Sequence, residues 1–282
     1  MKVTTYPDAT SFLAVTRREL EKNEAANSLI LSICRRLLEQ PDWLEESPYL
    51  ATVAREQGPV PAAMMTPPHN IVLAPLGEDS AAAVPPLVAS LRAGGWQVPG
   101  VLAPKEVAQP FAEAWSAAGG AYELHMAQRL YELRGVEIPE GTAPGMLRQG
   151  TAADFELVLA WSRAFFEEAL GEADLERVRP MVEQRIGAGD FFLWEDGEAV
   201  SMAMRTRPAG RGISVTAVYT PPEQRRKGYA TACVAALSRQ LLASGYEYCT
   251  LYTDLANPTS NDIYYQIGYR PVADFDAHRF TD

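Results

Sequence analysis

Val218-Tyr219-Thr220-Pro221-Pro222-Glu223-Gln224-Arg225-Arg226-Lys227-Gly228-Tyr229-Ala230-Thr231 is a basic joint between two kinds of secondary structure in an otherwise acidic chain. Upstream, Ile213 to Thr220 reads as a strand; downstream, Cys233, Val234, Leu237 and Leu241 form the apolar stripe of a helix that begins near Tyr229 and that Gly245 would end. Such a joint collects unpaired backbone N–H groups at the positive end of a helix dipole, which suits a pyrophosphate. Arg225, Arg226 and Lys227 add charge, while Gly228 and Ala230 leave room for a ligand to approach the backbone. Composition alone leaves this reading level with that of a solvated basic turn.

A second pattern follows at Asn257-Pro258-Thr259-Ser260-Asn261-Asp262-Ile263-Tyr264-Tyr265-Gln266-Ile267-Gly268-Tyr269. Asn257 suits an N-cap and Pro258 the first helical position, and Gly268 stops the helix. Helical spacing brings Asn257, Asn261, Tyr264 and Gly268 to one face. Taken alone, Tyr264 reads as core packing, like its neighbours Ile263 and Ile267.

Arg225-x-x-Gly228-x-Ala230 resembles the Arg/Gln-x-x-Gly-x-Gly/Ala signature of the GNAT superfamily of N-acetyltransferases, with the strand before it and the helix after it that the family shows. Ile263-Tyr264-Tyr265-Gln266-Ile267-Gly268-Tyr269 resembles the family's Leu-Tyr-x-x-x-Gly-Phe segment, and the Asn-containing run precedes it. Neither a GxxxxGK[ST] phosphate loop nor a GxGxxG dinucleotide motif is present. The resemblance covers about Met146 to Phe280. It implies that Arg225, Arg226, Lys227, Gly228, Tyr229, Ala230 and Thr231 hold the pyrophosphate of acetyl-CoA. It further implies that Val218, Tyr219 and Thr220 line the pantetheine arm as an added strand would, and that Asn257 and Asn261 contact the coenzyme. Tyr264 takes the place of the family's frequent general acid, protonating the departing thiolate; a pKa of about 10 keeps a tyrosine protonated at neutral pH. The strand at 213–220 departs from many members in having no Glu or Asp to act as general base. Asp254 or a water chain would serve, and an amine arriving neutral needs neither.

Outward from these motifs, 25 Lys and Arg against 36 Asp and Glu give a net charge of −11 over 282 residues, which argues against nucleic acid as the main partner. The length suggests two domains at roughly 100 to 200 residues each. Cys34, Cys233 and Cys249 show neither disulfide nor zinc spacing, and His69, His125 and His278 are dispersed, so no metal is expected and the thiols read as reduced and structural in a cytoplasmic protein. No apolar run approaches the ~20 residues of a membrane span, so a membrane partner is not expected.

Val136 to Gly145, with two Pro and two Gly, is the clearest boundary, dividing the chain into domains at 1–140 and 141–282. In the first, a helix is expected around Leu29 to Leu38. Strands at Leu50–Arg55, Val60–Thr66 and Ile71–Ala74 follow, then a helix at Ala81–Ala93, a strand at Val98–Leu102 and a helix through Phe111 and Trp115. Tyr122–Leu133 fits either strand or helix. In the second, Met146–Gln149 reads as a strand, Thr151 and Asp154 as a capping pair, Leu175–Ile186 as a second helix, and Phe191–Trp194 and Ala199–Thr206 as a hairpin about Asp196-Gly197. Tyr246–Thr253 is a further strand. Ala63-Met64-Met65-Thr66 aligns with Ala203-Met204-Arg205-Thr206 at an offset of 140. With the similar order of elements this suggests a duplication, though two unrelated α/β halves remain open.

The expected fold class is therefore α/β (α+β): two tandem GNAT-like domains, each a mixed, mostly antiparallel sheet flanked by helices. The first half is expected to be a degenerate copy that does not bind coenzyme, because Pro75-Leu76-Gly77-Glu78-Asp79-Ser80 carries two acids where phosphates would lie. The function implied is acetyl-CoA-dependent transfer of an acetyl group to a primary amine of a small molecule or peptide by direct attack, in a monomer or homodimer. The alternative is a non-catalytic acyl-CoA-binding or regulatory module. Glu167, Glu168, Glu172, Asp174 and Glu176 could draw a cationic amine, or simply form a solvated face.

Overall fold

The computed structural model describes all residues except 56–57, 78, 139–142, 172–174 and 282. The boundary expected between residues 140 and 141, and Glu172 and Asp174 of the acidic stretch, lie outside the described residues. Two compact units are present, and neither is one continuous stretch of chain: the first comprises Met1–Leu130, Thr253–Ala256 and Val272–Asp282, the second Tyr131–Tyr252 and Asn257–Pro271.

Both halves of the chain repeat one order of elements. The first runs β1 (Lys2–Thr5), α1 (Ala9–Leu20), α2 (Ser28–Glu39), β2 (Tyr49–Arg55), β3 (Gly58–Met65), β4 (Ile71–Pro75), α3 (Val84–Ala93), β5 (Gly100–Pro104), α4 (Lys105–Ser116) and β6 (Ala121–Leu133). The second runs β7 (Met146–Gln149), α5 (Phe155–Leu170), α6 (Leu175–Gly187), β8 (Phe191–Asp196), β9 (Glu198–Ala209), β10 (Gly212–Tyr219), α7 (Tyr229–Ala243), β11 (Tyr248–Asp254), α8 (Pro258–Ile267) and β12 (Arg270–Thr281). The matching tetrapeptides fall at corresponding places, at the end of β3 and within β9, each the third strand of its half. Tyr122–Leu133 is strand, settling that ambiguity.

In the first unit the strands lie in the order β1-β2-β3-β4-β5-β12-β6, with β4 and β5 parallel and the pairings of β1 to β4 antiparallel. Strand alternation sends Leu50, Ala62 and Met64 to a core with Phe12, Leu20, Ile30 and Cys34 of α1 and α2, and Tyr49, Ala63 and Met65 to a second core under α3 and α4. The C-terminal strand β12 completes this sheet, running antiparallel to β5 from Phe275 opposite Pro104 to Arg279 opposite Gly100. β1, α1 and β12 are elements that the sequence pattern did not announce. β1 is only four residues long, and β12 interleaves Asp274, Asp276 and His278 among its apolar residues.

The second unit has the order β11-β10-β9-β8-β7, antiparallel except for β10 and β11. Phe191, Leu193, Met202 and Met204 pack against α5 and α6 on one face, and Phe192, Ala203, Ile213, Val215, Cys249 and Leu251 pack against α7 and α8 on the other. The hairpin forms at Asp196-Gly197 with Gly197 at φ 74, the left-handed geometry such a turn needs. Thr151 and Asp154 form the expected capping box at the entry to α5. Arg148 pairs with Asp154 at 2.8 Å and also with Glu195, which holds the Asp154 carboxyl well below the usual carboxylate range. The three cysteines are buried and free. Among the described residues, no helix is long and apolar enough to cross a membrane, and no group of His, Cys, Asp or Glu could hold a metal ion.

Candidate active site

β10 and β11 pair only from Gly212 opposite Tyr248 to Ser214 opposite Thr250, although β10 continues to Tyr219 and β11 to Asp254. Beyond Ser214 the strands part. β10 stays joined to its other neighbour: Thr216 faces Met204 and Tyr219 faces Met202, so β10 carries one extra residue there, with Ala217 at φ 49. Ser201 on β9 anchors the far side of this bulge, its hydroxyl donating to the Tyr219 carbonyl at 3.1 Å and lying 2.9 Å from the Thr220 hydroxyl. The bulge thus turns β10 away from β11 without losing β9, and backbone at Val215–Tyr219 faces a gap where a ladder partner would stand.

The gap leads to the basic loop and the start of α7. Gly228 is the N-cap at φ 82, a conformation that only glycine adopts freely, and Arg226 shares the left-handed region at φ 62. No side chain caps α7, and its first turn holds no acidic residue. The leading N–H groups of a 15-residue helix are therefore unsatisfied within the helix and lie beside exposed Arg226 and Lys227. Their donor chemistry suits a diphosphate. Lys227 donates to Gln224 at 2.8 Å and remains exposed. Tyr229 is held inward, its hydroxyl donating to Asp196 at 2.7 Å, and that hydrogen bond is the main cause of its raised pKa. Ala230 and Thr231 are half-buried at the helix start.

Arg225 does not extend freely toward this donor row. Its Nε donates to the Thr220 carbonyl at 2.9 Å, and its Nη2 grips both carboxylate oxygens of Glu168 at 2.7 and 2.9 Å. The salt bridge ties the loop to α5, and it also takes Glu168 out of the acidic stretch read as a lure for cationic amines. Arg225 thereby shapes the loop through Thr220 and Glu168.

On the α7 face, Tyr264 is 8% exposed and packs with Cys233, Ile267 and Tyr269, the two tyrosine rings meeting edge to face at 6.0 Å. Burial is the first cause of its pKa rising well above the usual phenol value, and the nearby Cys233 adds to it. Burial thus keeps its hydroxyl protonated, and no described residue hydrogen-bonds it. Asn257 caps α8 as its position suggested, its side chain accepting from the Ser260 N–H at 3.0 Å. Asn261 is engaged structurally: Oδ1 accepts from the Tyr131 hydroxyl at 2.8 Å and Nδ2 donates to the Asn257 carbonyl at 2.7 Å. Gly268 ends α8 at φ 112, where a Cβ would stand 2.9 Å from the Gly135 carbonyl oxygen. Asp254 accepts from the Ala256 N–H at 2.8 Å, a local turn. Ser201, Glu168 and Tyr131 were missed as supporting residues, because each acts through a partner far away in sequence.

Residues 196–277 match the family model described as FR47-like protein, a span from the hairpin turn to β12 that takes in both the basic loop and Tyr264. No curated protein sequence matches the chain. Among solved structures, one of a Drosophila protein aligns 99% of this chain with 98% of its own at a TM-score of 0.69 and 13% identity. A GCN5-related N-acetyltransferase from Sphaerobacter thermophilus aligns over 99% and 94% at 0.64 and 12%. A tandem GNAT protein from the clavulanic acid biosynthesis pathway aligns over 99% and 98% at 0.56 and 11%. At these identities the likeness is one of fold. The chain has the fold of GNAT acetyltransferases, arranged in tandem.

Proposed function

We propose that the chain is an acetyl-CoA-dependent N-acetyltransferase with one coenzyme site, in the second unit. The observation that carries this reading is the conjunction of a strand gap beyond the Ser214–Thr250 pair with an uncapped, acid-free α7 N-terminus at its mouth. Acetyl-CoA supplies an activated thioester. The Gly228–Thr231 amides with Arg226 and Lys227 bind its diphosphate, and the edge of Val218–Thr220 orients its arm. The acceptor amine forms an N–C bond as the C–S bond breaks; the amine gives its proton to water, Tyr264 supplies one to the leaving sulfur, and solvent returns a proton to Tyr264. No acyl-enzyme is needed, and buried Cys233 and Cys249, with pKa values pushed up to about 12 by burial, are poor nucleophiles.

The first unit lacks the same donors. Its α3 begins Val84-Pro85-Pro86, and the two prolines remove N–H groups from the turn that would face phosphate. Calorimetric titration with acetyl-CoA tests the reading. One saturable site per chain, weakened when Arg225, Arg226 and Lys227 are all changed to Ala, supports it; no binding of acetyl-CoA or of longer acyl-CoAs would falsify it.

A further inference from the structure

On the sheet face covered by α5 and α6, opposite Tyr264, lies a group of cations that takes no part in the coenzyme loop. Ile213, Val215, Cys249 and Leu251 pack toward α7 and α8, so Ser214, Thr250 and Tyr252 point the other way. Ser214 and Thr250, each 1% exposed, join hydroxyls at 2.8 Å at the last paired position before the strands part. Arg207 lies beside this point on β9. Gly212 faces Ala209 and Ser214 faces Thr206, so β9 holds one extra residue between them; Arg207 lies there at φ 50, with its guanidinium carbon 5.9 Å from the centre of the Tyr252 ring.

Among the described residues, no carboxylate pairs with Arg207. Its charged neighbour is a further cation, Arg185, which shares the one carboxylate of Asp190 with Arg205, each at 3.1 Å. Arg205, opposite Val215 and over the Phe192 ring, reaches Asp190 from the other face, so on this face Arg185 and Arg207 share a single carboxylate, in a chain whose net charge is −11. Burial pulls the Arg207 pKa down, with Tyr252 opposing and Arg185 adding to the fall, while burial pushes Tyr252 up to about 12. A half-buried guanidinium that faces no carboxylate among the described residues is unfavourable unless an anion completes it. A planar guanidinium suits a carboxylate, which it can grip with two parallel hydrogen bonds.

We infer that Arg207, beside the Tyr252 ring and with Arg185 as its charged neighbour, binds a carboxylate of the acceptor, so that the acceptors are amines carrying an acidic group, such as amino acids, with the amine directed into the strand gap. This rests on the acetyl-transfer reading above and narrows its substrate class. It runs opposite to the acidic stretch at 167–176, whose Glu168 is occupied by Arg225.

The test measures acetyl-CoA-dependent thiol release with L-amino acids and their carboxamides as matched pairs, in the native protein, Arg207→Gln and Arg207→Lys, with acetyl-CoA binding followed by calorimetry. In the native protein, kcat/KM for the acid should exceed that for the amide by about ten-fold or more. The ratio should fall toward one in Arg207→Gln, through KM, and recover in part in Arg207→Lys. Salt gives a measurement on the native chain alone: the acid's KM should rise with ionic strength while the amide's does not. If acetyl-CoA binds but no acid outpaces its amide, including a panel in which no acid turns over, the inference is overturned and the coenzyme reading stands. If acetyl-CoA does not bind, both fall.

Discussion

Tyr264 and Gly228 sit at opposite ends of the same chemistry, and their substitution should separate binding from turnover. Tyr264→Phe keeps the ring that packs against Tyr269 and removes only the proton donor, so kcat should drop about 10²- to 10⁴-fold while acetyl-CoA affinity holds in calorimetry. Loss of affinity together with turnover would make Tyr264 a packing residue instead. Gly228→Ala faces no wall, since the new Cβ would meet the Ala143 Cβ at an ordinary 3.5 Å. Its penalty is backbone strain at φ 82, about 1–2 kcal/mol of stability, readable as a fall in the denaturant midpoint together with weaker coenzyme binding. At this scale the sequence was legible where a side chain or backbone acts on its immediate neighbours. Asn257 caps the helix it begins, and Gly228 opens the helix that follows it. The structural partners of Asn261 and Arg225, Tyr131 and Glu168, lie 130 and 57 residues away, and nothing local announces such pairs.

At the level of elements, the basic loop and α7 were readable because a strand, a proline turn, a glycine and an apolar helical stripe follow one another without interruption. The two bulges were not, since a bulge is a matter of register between strands and leaves no mark on either strand alone. Ala217 and Arg207 therefore look ordinary in sequence and become informative only through their positive φ values. The entry to α5 makes a separate prediction. The depressed Asp154 pKa means that its stabilising contribution is present above the ordinary carboxylate pKa of about 3.9 and is lost as pH falls through the lower folded value. Asp154→Asn should lower stability at pH 7 by about 1–2 kcal/mol, through the lost cap and the lost ion pair with Arg148. It should also make the acid side of the melting-temperature profile shallower. An unchanged acid limb would show that other carboxylates control it.

For the whole molecule, the repeated order of ten elements was largely visible from spacing and turns, whereas the distribution of chain between the units was not. Strand pairing between residues such as Phe275 and Pro104 depends on contacts across more than half the sequence. The first unit includes Val272–Asp282, so a fragment ending at residue 138 lacks the strand that covers β5. Such a fragment should show weak amide protection in hydrogen exchange and a tendency to aggregate through its open edge. A synthetic peptide of residues 270–281, added in trans, should restore protection to β5. A fragment as well protected as the full chain would show that β12 is dispensable to that unit.

The position of β12 also bears on how the protein is made. The strand that seals the first sheet is translated only after the whole of the second unit's sequence, so the first half must wait on the ribosome with one seam open while the later half emerges. Synthesis at roughly 5 to 20 residues per second makes that wait many seconds, long compared with the formation of helices and hairpins. Chaperone occupancy on nascent chains should therefore persist on the first half until β12 emerges, rather than decline as soon as that half has cleared the exit tunnel.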